Sequence, residues 1–340
     1  MITIDMLKKV KVVYSHGHCP DGLASAMILK HAFGMLDMKP PIEFIIHNTP
    51  EHKNAGLEAG PDHLVLFCDI APHPETAHDI VSKNAVQTDS ILVLDHHKGA
   101  EDLLKLFRYS VFADEEKDPG VSGALLAFRE VWKPVAVACG VNESAFYTTE
   151  RFATATGARD TWQTKDELFA EGQHIARYLM SRPQEELMQS GRSWLGAEER
   201  KTGKALFDAH MESVRQAVEQ CVEIDCHAAD GSRVLLRVFQ EQASGFRLTS
   251  EVAEAFRESG EKEPGVLAGF SWVLNAPGAI PDLLYSLRSF GGVDVAAFAK
   301  ANGGGGHTAA AGFNVPLFDV SRDPYATIRE RLNSFLKDVT

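Results

Sequence analysis

The segment Val10–Phe33 reads VKVVYSHGHCPDGLASAMILKHAF: a short apolar run, a loop of small and polar residues, then a longer apolar stretch rich in alanine. Val10–Tyr14 (VKVVY) has the length and composition of a strand, and Gly22–Phe33 that of a helix. The strand signature returns at Ile42–Ile46 (IEFII), Leu64–Phe67 (LVLF) and Ile91–Leu94 (ILVL). Strands alternating with helical segments predict an α/β domain, a parallel sheet with helices on its faces. Ligands of such sheets bind beyond the carboxyl ends of the strands, so the residues that follow each run are where chemistry is expected.

Further along, Asp166 to about Cys221 turns helical and polar, with Leu206, Met211, Val214 and Val218 near helical spacing. Strand signals resume at Arg233–Phe239, Val266–Leu274 and Leu283–Leu287, separated by helix-like EVAEAFRES and VDVAAFAKA. At 340 residues the chain exceeds what one core usually organises. The expected architecture is therefore α/β in two domains: an N-terminal parallel-sheet domain over 1–180, a helical connector over 181–225, and a smaller C-terminal α/β domain over 226–340.

Apolar residues at 44% and charged residues at 24% exclude disordered and collagen-like chains. The N-terminus breaks its apolar stretch with charges and no run of 18 apolar residues occurs, so a cytoplasmic protein without a membrane span or signal peptide is expected. Cys19, Cys68, Cys139, Cys221 and Cys226 lack CxxC spacing, which suits reduced thiols better than disulfides or a zinc knuckle. A net charge of −13 argues against a protein that coats long duplex DNA, because that affinity comes from neutralising phosphates. A homodimer is compatible with the sequence but not specified by it.

Three strand-like runs end in His or Asp: His16-Gly17-His18-Cys19-Pro20-Asp21-Gly22 after the first, Cys68-Asp69 after LVLF, and Asp95-His96-His97 after ILVL. Asp160 closes a fourth segment, the helix-like RFATATGARD. Carboxylate oxygens with a few imidazoles suit Mn²⁺, and less well Mg²⁺ or Zn²⁺. Two such ions would polarise a phosphoryl group. His47, His52, His63, His73 and His78 fit no shared format and read as surface or packing residues. Near the C-terminus Gly303–Gly306 precede His307. A glycine run is costly to order, and its bare peptide N–H groups suit an anion. Thr308–Ala311 (TAAA) reads as the start of a helix.

The order HGHCPDG, CDIAP, LDHHKG and GARD, followed by SLRSFGGVDVAAFAKANGGGGHTAAAGF, resembles the DHH phosphoesterases that carry a C-terminal DHHA1 domain. The resemblance spans nearly the whole chain. It implies metal ligands at His16, Asp21, Asp69, His96 and Asp160, with Asp69 bridging two ions. It implies His97 facing the phosphate and Asp95 supporting the ligands. It also implies that Arg288, Gly304, Gly305, Gly306 and His307 grip the substrate's phosphate. Relatives usually carry two aspartates in the first motif, where this chain has Asp21 alone, preceded by Cys19 and followed by Leu23. Cys19 at the first aspartate position is the preferred register, with Cys19 or His18 as a substitute ligand.

The implied activity is metal-dependent hydrolysis of short oligonucleotides or small nucleotides, in a cleft between the two domains. Polyphosphate or pyrophosphate hydrolysis is the alternative within the enzyme class. A nucleotide-binding sensor that has lost turnover is the alternative outside it.

Overall fold

A computed structural model describes residues 2–83, 88–241, 247–260, 263–274 and 280–338. The chain divides into two compact units, Met1–Phe207 and Asp208–Thr340.

In the first unit β1 (Val10–His16), β2 (Ile42–Ile45), β3 (Leu64–Cys68), β4 (Ile91–Asp95) and β5 (Tyr109–Phe112) form one sheet in the order β2-β1-β3-β4-β5. Every pairing is parallel. The alternating side chains of these strands feed two cores. Val13, Leu66, Leu92 and Leu94 pack on one face with Leu23, Ala24 and Met27. Val12, Val65, Phe67 and Val93 pack on the other with Ala77, Ile80 and Leu104. Burial on both faces is why β3 and β4 read as unbroken apolar runs rather than alternating ones.

Helix α1 (Pro20–Met35) starts on a proline, whose missing N–H costs nothing in a first turn. It is apolar on nearly all sides because it lies deep in the unit. A short helix α2 (Gly123–Leu126) and a long one, α3 (Glu143–Asp160), pack against it. Helix α4 (Ala197–Glu219) runs through the division between the units.

The second unit holds a mixed sheet in the order β10-β11-β9-β8-β7-β6. Its strands are β6 (Val222–His227), β7 (Arg233–Gln240), β8 (Gly265–Val273), β9 (Asp282–Phe290), β10 (Gly305–His307) and β11 (Ala310–Pro316). Only β7 and β8 pair in parallel, with α5 (Thr249–Glu258) between them in the chain. Phe298 and Phe313 are buried in one core and Phe290 in the other.

The C-terminal glycine segment departs from expectation. Thr308–Ala311 does not start a helix: Ala310 opens β11, and the chain turns back on itself through Thr308 and Ala309. Alanine's helix propensity yields here to the free edge of β9, which takes β11 as its next strand. The glycines also have a structural requirement. A Cβ on Gly304 would sit 2.1 Å from the Gly312 carbonyl oxygen, and one on Gly306 would sit 2.5 Å from that of Ala310.

Candidate metal centre

The strand order 2-1-3-4-5 reverses direction between β1 and β3, and the crevice of such a sheet opens beyond the carboxyl ends of those two strands. His16 is the last residue of β1, and Asp69 follows the last residue of β3. Asp69 has a left-handed backbone (φ 61°) and is fully buried. Asp95 ends β4, with His96 and His97 directly after it. Asp160 arrives from elsewhere, as the last residue of α3.

These side chains converge into two groups at ligand spacing: His16, Asp69 and His97 in one, and Asp21, His96 and Asp160 in the other. Asp69 touches both. Its Oδ2 lies 3.6 Å from His16 Nδ1, and its Oδ1 lies 3.2 Å from His96 Nε2. In the second group His96 Nε2 stands 3.7 Å from Asp21 Oδ2 and 3.6 Å from Asp160 Oδ2.

Asp21, His96 and His97 are held from behind. Both oxygens of Asp21 accept backbone N–H bonds from the first turn of α2, from Gly123 at 2.6 Å and Ala124 at 3.0 Å. Asp95 Oδ1 accepts from the backbone N–H of His96 (2.8 Å) and of His97 (3.1 Å), and pairs with His97 Nδ1 at 2.7 Å. Asp95 thus orients the two histidines and belongs to neither group. His96 Nδ1 meets Glu115 Oε1 at 3.1 Å, so the Nε2 that faces the carboxylates is the ring's free lone pair when Nδ1 carries the hydrogen. Gly123 has a steric duty too: a Cβ there would lie 2.4 Å from Asp69 Cβ and 2.9 Å from Asp21 Oδ2.

The electrostatics expose a surplus of negative charge. Burial, then the nearby Asp69 and Asp160, push the Asp21 carboxyl well above the ordinary range. Burial would raise Asp69 as well, but the His16, His96 and Asp21 groups facing it hold it below the usual range. Burial disfavours a charged His96, yet Asp69, Asp21 and Asp160 together lift its pKa to about 10. Carboxylates this close cannot all be ionised without a cation among them. The donor set fits a divalent ion. It is oxygen and imidazole, with no thiolate, and the facing atoms His16 Nδ1 and Asp69 Oδ2 are buried without a hydrogen-bond partner.

The other candidate residues are placed as follows. His97, expected to face a phosphate, joins His16 and Asp69 in a ligand group. Cys19 and His18, offered as substitute ligands, join neither group. His18 is exposed, with a left-handed backbone (φ 57°). Cys19 is half-buried as the residue before the first turn of α1, and burial followed by Asp69, Asp160 and Asp21 pushes its thiol above the ordinary value. Leu23 sits in the core at 2% exposure, and Asp21, in the first turn of α1, is the acidic residue this segment brings to the centre. His47, read as a surface or packing residue, is exposed and stands beside the first group. It follows β2 by two positions, and its ring lies 4.9 Å from that of His16 and 6.1 Å from that of His97. Of the other histidines set aside, His52 and His73 are indeed buried packing residues.

In the second unit, cross-strand pairing sets His307 opposite Ala310 and Ala310 opposite Arg288. Directly opposed residues share a face, so Arg288 and His307 look out from the same side of the sheet, two strands and roughly 10 Å apart. Arg288 is half-buried and its guanidinium is braced by the Leu287 carbonyl (2.8 Å) and Ser250 Oγ (2.7 Å). Gly305 and His307 are exposed along the edge strand.

No protein-family model and no curated protein matches this chain. Solved structures align with it along nearly its whole length. The structure of CDC45 from Entamoeba histolytica aligns with a TM-score of 0.50 at 10% identity, over 97% of this chain and 95% of that one. An exopolyphosphatase-related protein from Bacteroides fragilis aligns with a TM-score of 0.49 at 12% identity, over 96% and 92%. A pGpG-specific phosphodiesterase from Vibrio cholerae aligns with a TM-score of 0.43 at 12% identity, over 96% and 98%. At these identities the likeness is one of fold. Among the described residues no helix is long and apolar enough to cross a membrane.

Proposed function

We propose that the chain is a DHH-type phosphoesterase that uses divalent cations, with short phosphorylated oligonucleotides or small nucleotides as its substrates. The observation that carries this reading is Asp69, whose two oxygens face two separate ligand groups. His16, Asp69 and His97 would hold one ion, and Asp21, His96 and Asp160, with the second oxygen of Asp69, the other. A divalent cation held there supplies Lewis-acid polarisation of a phosphoryl oxygen and lowers the pKa of water. Mn²⁺ is the best match to mixed oxygen and imidazole donors, with Mg²⁺ as the substitute.

The chain's own contribution is preorganisation. The N–H groups of Gly123 and Ala124 fix Asp21, Glu115 fixes the ring of His96, and Asp95 fixes that of His97. Little rearrangement then remains for when charge develops on the substrate. In the second unit, Arg288 and His307 are proposed to bind an anionic group, the guanidinium by a two-pronged contact.

The test follows a 5′-phosphorylated RNA trinucleotide with Mn²⁺ by chromatography, for the native chain and for His96→Ala. Stepwise mononucleotide release by the native chain alone is expected. Full activity in His96→Ala would sink the ligand assignment. Release by neither, with polyphosphate and pyrophosphate also left intact, would favour a nucleotide-binding protein without turnover. Cys19, standing in the sequence where the resembled family usually carries an aspartate, is the feature that supports this second reading.

A further inference from the structure

His97 Nδ1 pairs with Asp95 at 2.7 Å, and the ring stands at ligand spacing from His16 and Asp69. An ion held in that group would take the other nitrogen of this ring as a ligand. The unclaimed imidazole beside that group is His47. It is exposed, belongs to neither ligand group, and has no hydrogen bond to the protein among the described residues. Yet its ring stands edge-on to His16 at 4.9 Å and to His97 at 6.1 Å.

The loop that carries His47 is anchored. Asn48 adopts a left-handed backbone (φ 63°), and its N–H donates to Nδ1 of His52 at 3.1 Å. His52 is 3% exposed, and its Nε2 pairs with the Ala71 carbonyl oxygen at 2.9 Å, in the segment that follows Asp69. Both nitrogens of a buried histidine are thus spent tying the His47 loop to the β3 end of the site. The His52 ring also packs edge-on against His47 at 5.4 Å.

We propose that His47 is a substrate-contacting residue, whose ring N–H donates to a non-bridging oxygen of a phosphoryl group lying over His16, Asp69 and His97. The inference rests on the phosphoesterase reading and deepens it, by naming an imidazole beside the first group that would contact the phosphate.

The test uses the full chain with Mn²⁺ and inorganic phosphate as the probe. It measures Mn²⁺ bound per chain, calorimetric affinity for phosphate, and trinucleotide kinetics, for the native chain, His47→Ala and His47→Asn. Loss of one hydrogen bond to a charged group predicts about tenfold weaker phosphate binding and a KM raised to a similar extent in His47→Ala, with the Mn²⁺ content of the native chain. Asparagine, which can still donate, should recover most of the loss. Unchanged phosphate affinity and KM in His47→Ala would overturn the assignment, as would loss of Mn²⁺, which would make His47 a ligand. A native chain that takes up neither Mn²⁺ nor phosphate would overturn the phosphoesterase reading itself, and this inference with it.

Discussion

The behaviour of single residues at the centre follows from what stands behind them. Glu115 touches no other member of the site except His96, and it sets which nitrogen of that ring faces the carboxylates. Replacing it with alanine is expected to weaken Mn²⁺ binding by roughly 10–100-fold while the fold survives, since the carboxylate is half-exposed. Titration calorimetry checks this, and native affinity in Glu115→Ala would remove Glu115 from the site. The sequence offered no signal for it. Glu115 lies in FADEEKD, where every acidic residue reads equally well as solvated surface. His47 differs, because it follows IEFII in the same strand-then-histidine format that marked His16 and His96. That format was legible at β2, where His47 follows the apolar run directly.

Among the elements, the first turn of α2 decides most. Its N–H groups bond both oxygens of Asp21, where the positive end of the helix meets a buried carboxylate. This close approach depends on Gly123. In Gly123→Ala the new methyl group would overlap Asp69 and Asp21, and overpacking of this kind costs about 1–3 kcal/mol. A lower urea midpoint and weaker Mn²⁺ binding are both expected. Native values for both would show that the turn has room to shift. Nothing in VSGALLAF announces the contact, because the partners of Gly123 lie more than 50 positions earlier in the chain. The same holds for β11: alanines that favour a helix locally became a strand because β9 had an edge to pair. By contrast, β3 and β4 were legible, since strands buried on both faces are written as continuous apolar runs.

At the scale of the molecule, each unit has its own sheet and cores, and all proposed ion ligands belong to Met1–Phe207. Mn²⁺ should therefore stabilise that unit selectively, by about 2.7 kcal/mol at a hundredfold excess over its dissociation constant. Trp132, Trp162 and Trp194 lie in the first unit and Trp272 in the second, so tryptophan fluorescence of Trp272→Phe reports the first unit alone. A denaturation midpoint unmoved by Mn²⁺ in that variant would count against the centre. The amino-acid sequence by itself determined the α/β class, the parallel sheet and the identity of most acidic and histidine members, because hydrophobic period and strand-end residues are local properties. The tertiary structure alone decided how those members divide: His97 grouped with His16 and Asp69, Cys19 left aside, Glu115 and Gly123 recruited, and His47 brought to the rim. Those outcomes depend on distances between strand ends and helix turns far apart in the chain, which packing sets and no local pattern encodes.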